Sequence, residues 1–540
     1  MTLKYRNILF ALAAFLIVSL MGVLMLQAVR NDSPTSDEPP HILSGYAALK
    51  YGIDYIDAEH PLFAKSLAST PLLFQNIKFD KEDPIFTSRD VEFNVGKMFT
   101  YSRNFLNFSG NNPDSILFST RIPLILLTVF FGIVVFLFTT KLFGKGAALL
   151  ATFLYATEPN ILAHGSLVNT DLAATGFILL SIYALYLYFE RQERKRLIFL
   201  IVSLALSFLS KHSTFILFPL ILIFMEILYR NQKYKPRIHL LAVFFGVFSI
   251  IFLFYGLLSF RERGLVGFFP YEYFKGLILI PYGLSHDQRF SYLLGQSYFG
   301  GRWYYFPIVI LAKTQILTLL LFLISLTAIS LKKFQLTKRQ FLLLFVPPVV
   351  YLTVAMISKF NIGVRHMLPI YPFMIILGAG GFFALARLTL KNFSKQISFA
   401  IVGLALLIII AGRIWSVWTT FPSFLSYYNA AFGGTASGWK VSDDSNYDWG
   451  QDLKRLADYV HQNNIKSIAF DNYTGFFATK YYDIPATKIT VNDKNYKGYL
   501  ALSASVIVYN ETQKNTYSWV IDHHKPIFRA GQSIFVYKIE

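Results

Sequence analysis

The chain has 540 residues, 54% of them hydrophobic and 15% charged, with a formal net charge of +19 and a mean hydropathy of +0.46. That balance excludes a soluble globular protein of this length, and several apolar runs reach the ~20 residues needed to cross a bilayer, so the chain reads as a polytopic membrane protein. Cysteine is absent, which excludes disulfides and Cys-based metal sites.

The positive charge is not the footprint of a nucleic-acid binder. Lysines and arginines gather in short gaps between apolar runs: Lys4 and Arg6; Lys141 and Lys145; Arg191, Arg194, Lys195 and Arg196. The pattern continues with Arg230, Lys233, Lys235 and Arg237; Lys332, Lys333, Lys338 and Arg339; and Arg387, Lys391 and Lys395. Those gaps hold only two acids, Glu190 and Glu193. This is the positive-inside pattern, and it makes the gaps cytoplasmic.

About eleven spans follow in chain order, near 8–29, 118–140, 146–162, 171–189, 196–210, 212–229, 238–259, 305–331, 341–358, 367–386 and 397–417. The first run is too long for a secretory signal and lacks a small-residue cleavage site before Arg30, so it is expected to be retained. A cytoplasmic start and an odd count place the C-terminus outside. Tight turns around 160–171 and 210–212 predict short or broken helices there.

Three segments fall outside the spans. Residues 30–117 form a first outer loop with amphipathic stretches near 41–50 and 60–75, expected to lie along the membrane interface. A second outer loop, 260–304, is crowded with aromatics and glycines. Residues 420–540 are more polar and read as a small extracytoplasmic α/β domain, with a helix in DWGQDLKRLADYVHQN and strands in KSIAF, ASVIVYN and SIFVYKIE. The chain therefore divides at 1–419 and 420–540. It has no internal repeat and no P-loop, which weighs against an ATP-driven pump.

Ionisable residues near the bilayer are costly and mark function by default. Here nearly all emerge on the outer side. Asp37 and Glu38 follow span 1, Glu59 and His60 sit in the first loop, and Arg121 opens span 2. His164 and Asp171 lie between spans 3 and 4, Lys211 and His212 between spans 5 and 6, and Arg365 and His366 at the start of span 10. Lys211, Arg365 and Arg121 are cations suited to a phosphate whose lipid tail stays in the bilayer. Asp37, Glu38, Glu59 and Asp171 are carboxylates able to serve as a general base or to hold a metal. A carboxylate base beside phosphate-binding cations is what lipid-linked sugar transfer needs. A proton-coupled transporter uses the same inventory, but its groups tend to lie at mid-membrane. Plainer readings exist for each residue alone: a helix cap for Asp37 and Glu38, a snorkelling side chain for Lys211, a hydrogen-bonded turn residue for His164. Glu158, Asp448 and Asp452 are at least as readily structural.

The stretches DEPPHILSGYAALKYGIDY, EHPLFAKSLA, LAHGSLVNTDLAATGF, LSKHSTFILFPL, GGRWYYFPIVILAKT, RHMLPIYPF and YYNAAFGGTASGW…DDSNYDWGQDL, in that order, carry a resemblance. The chain resembles the bacterial branch of the protein O-mannosyltransferase and aminoarabinose-transferase superfamily, glycosyltransferase family 39, with the GT-C membrane fold. The resemblance implies an inverting transferase that moves a sugar (mannose or another hexose or pentose) from a polyprenyl-phosphate donor to an acceptor hydroxyl on the outer face. It implies Asp37, with Glu38 beside it, as the base and Lys211 and Arg365 as phosphate contacts. Glu59-His60-Pro61 resembles an acceptor-side motif, and a glutamate there contributes to a metal site in the aminoarabinose relatives. Leu62 stands where the motif usually has a second proline. The expected partners are the lipid-linked donor, a protein, lipid or glycan acceptor, and the bilayer of the cytoplasmic membrane, with no nucleic acid; a divalent metal is the one cofactor in view. Two other classes stay open, a flippase for lipid-linked sugars and a non-catalytic scaffold of envelope assembly.

Overall fold

The computed structural model describes residues 3–83, 86, 95–229, 237–286, 290–472, 476–512 and 517–540. The basic cluster at Arg230, Lys233 and Lys235 lies outside them. The fold is mostly helical, and each expected span falls on helix. Among the described residues seven helices are long and apolar enough to cross a membrane: Tyr5–Val29, Pro113–Phe143, Asp171–Glu190, Ile238–Phe268, Lys338–Ile357, Val364–Asn392 and Lys395–Thr420. A bent pair, Tyr305–Lys313 and Ile316–Ser330, meeting at 114°, passes the same test when its two halves are taken together.

Of the roughly eleven expected spans, the others fall on shorter or broken helices among the described residues. The breaks lie where tight turns interrupt the chain. The helix Lys145–Ala156 stops before Pro159, and Pro159–His164 resumes as a separate turn-and-a-half. Arg194–Ser210 ends at Lys211, whose backbone is extended, and a 3-10 turn at His212–Ile216 precedes the next helix.

The described part of residues 30–117 is built around helix α1, Glu38–Tyr51. Pro39 and Pro40 sit in its first turn, where a missing N–H costs nothing, and Gly52 at φ 84 closes it with a left-handed cap. Residues Glu38 to Ala48 of α1 are all buried. The expectation of an interfacial helix at 41–50 is thus corrected: α1 is enclosed by helix α2, Leu62–Ser69, and helix α3, Val95–Asn107. Gly45 makes the closest approach, since a Cβ there would meet the Lys65 carbonyl at 2.1 Å. The second outer segment also holds regular structure, a helix Tyr271–His286 and a hairpin of Phe290–Leu293 with Gln296–Phe299.

The C-terminal segment contains a five-stranded mixed sheet. Its strands, in chain order, are β1 Ile468–Asp471, β2 Ala486–Lys488, β3 Gly498–Ser503, β4 Phe528–Ala530 and β5 Ile534–Ile539. Their spatial order is β2-β1-β3-β5-β4, with β1 parallel to β2 and β3 and with β5 antiparallel to β3 and β4. The helix Leu453–Gln462 forms as expected. ASVIVYN does not form a strand: Ala504–Thr512 is helical, and the strand is the preceding Gly498–Ser503. Val506, Ile507 and Val508 are all buried, so the run carries no period to tell helix from strand, and Ser503 Oγ caps the turn by accepting from Val506 N–H. This segment grips the membrane helices at the bend of the broken pair, where Asn429 donates to the carbonyls of Leu311 and Thr314 at 2.7 and 2.9 Å.

Candidate active site

The start of α1 aims two adjacent acids in different directions. Glu38 turns inward and forms a doubly bonded pair with Arg121, at 2.8 Å to Nε and 2.6 Å to a terminal nitrogen. Its carboxylate also accepts from the backbone N–H groups of Val168 and Thr35, both at 2.9 Å. Arg121 spends its remaining donors on the carbonyls of Val29, Asp32 and Ser33. Both side chains are fully enclosed. The structure therefore gives Glu38 and Arg121 to one another, as a pin joining α1, helix Pro113–Phe143 and the turn before Asp171. Neither lines the cavity described next.

Asp37, one residue earlier, faces a cavity of about 600 Å3. Glu59, His60, Asp171, Lys211, Arg365 and His366 line the same cavity, so seven of the eleven outer-side residues named from the sequence share one space. Arg365 donates to Asp37 at 2.7 Å and stands 3.8 Å from Asp171, while Lys211 donates to Asp171. Two cations and two carboxylates thus alternate along one wall. The chain presents them from span ends far apart in sequence: the helix Arg194–Ser210 stops at Lys211, helix Asp171–Glu190 begins at Asp171, and a 3-10 turn, Val364–Ile370, carries Arg365. The lining also includes apolar side chains, among them Val95, Phe99, Leu279, Phe306 and Val354. His164 lies outside this lining. It is buried with its ring near Trp449, centroids 6.1 Å apart, and neither ring nitrogen has a hydrogen-bond partner, unlike the bonded turn residue expected.

Four residues at or beside the site gave no signal strong enough to single them out. His41 lies one helical turn beyond Asp37 on the cavity side, and its Nδ1 is 2.8 Å from Asp57. Lys65 also donates to Asp57, at 3.2 Å. Burial raises the Asp57 carboxyl, but Lys65 and His41 outweigh it and hold the group well below the usual carboxylate range. Burial pushes His60 down to about 3, leaving its ring neutral. The fourth is Trp449, whose indole covers the Arg365 guanidinium at 4.3 Å. An i, i+4 reading of DEPPH exposes His41; the other partners come from distant chain and leave no local pattern. Glu59 is the residue through which a metal is expected. Among the described residues no group of three His, Asp or Glu side chains is arranged to hold an ion, and the Lys65 ammonium already occupies the neighbouring Asp57. The donor set does not fit a metal, so no step is derived through one.

The sequence model of the dolichyl-phosphate-mannose-protein mannosyltransferase family matches residues 113–255, which include Asp171 and Lys211. Among curated proteins none matches. Among solved structures, ArnT from Cupriavidus metallidurans bound to undecaprenyl phosphate superposes with a TM-score of 0.51 at 12% identity, covering 99% of this chain and 98% of that one. The same protein in the apo state gives 0.49 at 12% identity, covering 96% and 97%. The archaeal oligosaccharyltransferase AglB from Archaeoglobus fulgidus gives 0.48 at 10% identity, covering 98% and 74%. The class that fold and matched segment define is a GT-C-like, multi-pass membrane glycosyltransferase.

Proposed function

We propose that the protein transfers a sugar from a polyprenyl-phosphate donor to an acceptor hydroxyl at the outer face of the cytoplasmic membrane. The observation that carries this reading is the cavity that Asp37, Arg365, Asp171 and Lys211 line together with apolar side chains. Its charged groups suit a phosphate and sugar, and its apolar side chains suit the first isoprene units. In the reaction the acceptor O–H gives its proton to the Asp37 carboxylate as its oxygen attacks the anomeric carbon. The bond from that carbon to the phosphate oxygen breaks with inversion, and the polyprenyl phosphate leaves with the electron pair. Lys211 and Arg365 stabilise the charge that grows on the leaving phosphate. Asp171 holds both cations in place before the donor arrives. Arg365 holds the Asp37 carboxylate through a hydrogen bond, and engagement of Arg365 by phosphate frees that carboxylate for the acceptor O–H.

The positive-inside pattern supports an outward-facing cavity and an extracytoplasmic segment 420–540. The test is transfer of radiolabelled sugar from polyprenyl phosphate to acceptor in purified membranes, with Asp37→Asn as the comparison. Loss of transfer in a folded, inserted Asp37→Asn protein supports the reading; near-normal turnover removes Asp37 as base. A flippase moves the lipid-linked sugar without cleaving it, and a scaffold loses its function on loss of 420–540 but not on Lys211→Ala.

A further inference from the structure

Residues 443–455 cross from the membrane region into the C-terminal sheet segment, and they touch both loops that present the proposed base and phosphate ligand. On one side Trp449 O accepts from Ser36 N–H at 2.9 Å, immediately before Asp37, and Gln451 O accepts from Ser33 N–H at 3.0 Å. Arg455 fastens the same loop through Asp32 at 2.5 Å. On the other side Asn446 Oδ1 accepts from Val364 N–H at 2.8 Å, and Ser445 Oγ donates to the Ile362 carbonyl at 2.8 Å, just before Arg365. Between these two sets of bonds the Trp449 indole, only 4% exposed, lies on the Arg365 guanidinium.

The connection is itself anchored from below. Lys313, fully buried at the bend of the broken helix, donates to the carbonyls of Asn446 and Leu425. A buried ammonium held by two carbonyls and the face of Tyr428, 4.8 Å from its centroid, is costly, and it is satisfied only while this segment stays docked.

We infer that residues 443–455 are a clamp, with Trp449 as its positioning residue, that fixes Arg365 against Asp37 and couples the C-terminal segment to the reaction centre. The inference rests on the glycosyltransferase reading for its kinetic part but not for its geometric part. Stacking supplies what the Arg365–Asp37 hydrogen bond alone lacks. It holds the guanidinium plane while one of its nitrogens exchanges a carboxylate for a phosphate. Trp449 reaches no reacting atom and acts through Arg365.

The chain is free of cysteine, so the test can use spin labels at Asn31→Cys and Lys359→Cys, one on each clamped loop. Double electron–electron resonance on the full-length protein in detergent is expected to give a narrow distance distribution. Trp449→Ala broadens it and lowers kcat about tenfold to a hundredfold, the usual result of misplacing a catalytic group by ~1 Å. Trp449→Phe, which keeps an aromatic face, restores both within a few-fold. A distribution as narrow in Trp449→Ala as in the parent overturns the clamp. If the distribution broadens while the parent protein shows no transfer from polyprenyl-phosphate sugar, the clamp stands and the enzymatic reading falls.

Discussion

Glu38→Ala separates architecture from chemistry at the acidic pair. The Glu38 carboxylate accepts two charge-assisted bonds from Arg121 and two backbone N–H bonds, from Val168 and Thr35, in a site with almost no solvent. Removing it leaves the Arg121 guanidinium buried with only the carbonyls of Val29, Asp32 and Ser33 as partners. Breaking a buried pair by deleting one member costs about 3–5 kcal/mol, and the carbonyls that remain favour the lower end. Two orphaned N–H groups add about 1–3 kcal/mol each where water does not reach them. The expected loss is therefore about 5 kcal/mol or more, a large fraction of an ordinary domain's ~5–15 kcal/mol. The assay is thermal unfolding of purified protein in detergent, read beside sugar transfer per folded molecule. Glu38→Ala unfolds at a lower temperature and yields less folded protein, while the molecules that fold retain most of their turnover. The double variant Glu38→Ala/Arg121→Met recovers part of the loss, because no charge is then left unpaired. A Glu38→Ala protein with unchanged unfolding temperature and no transfer would refute the reasoning and move Glu38 into the chemistry.

Asp37→Asn gives the converse result: the amide oxygen still accepts from Arg365, and Asp171 stays 3.8 Å from that guanidinium, so unfolding shifts by about 1–3 kcal/mol, while transfer falls by roughly 10²–10⁴, the range of a general base. Arg365→Lys keeps the charge but not the fork or the stacked plane, and is expected to lower kcat/KM for the lipid-linked donor about tenfold to a hundredfold in a steady-state transfer assay. Arg413→Ala leaves Glu158 buried without the cation 3.1 Å away, so detergent thermal unfolding should show a loss of about 3–5 kcal/mol. His60 titrates near 3 when folded and near the ordinary histidine value when unfolded. Between those values the unfolded chain holds the extra proton, so stability is complete above pH ~6.5 and declines as pH falls toward ~3. His60→Asn should flatten that decline by up to about 1.4 kcal/mol per pH unit, measured as unfolding against pH.

Much of this was legible because membrane proteins write their chemistry against an apolar background. Asp171, Lys211 and Arg365 stood out as charges at span ends, and topology alone put them on one side; the cavity they share follows. The roles within the acidic pair were not legible. Adjacent residues at a helix start point about 100° apart, and only the partner of each, Arg121 for Glu38 and Arg365 for Asp37, reveals which acid faces the cavity. Those partners lie 83 and 328 residues away. The helix at Ala504–Thr512 was hidden for a different reason, since its first five residues, 504–508, are all buried and leave no face for periodicity to report. Trp449 belonged to a stretch whose order resembled the family but whose chemistry depends on a guanidinium on another element.

The grip of Asn429 on the carbonyls of Leu311 and Thr314 bears on where this chain can be cut. A helix broken by 114° near the bilayer strands carbonyls that hydrocarbon cannot solvate. Here the residue that quiets them comes from beyond position 420. The expected division between membrane helices and C-terminal segment is therefore not a border in folding. A chain stopped at residue 419 loses the acceptors for Lys313 and the donor for the bend together, and the two parts should melt as one cooperative unit rather than as separable modules.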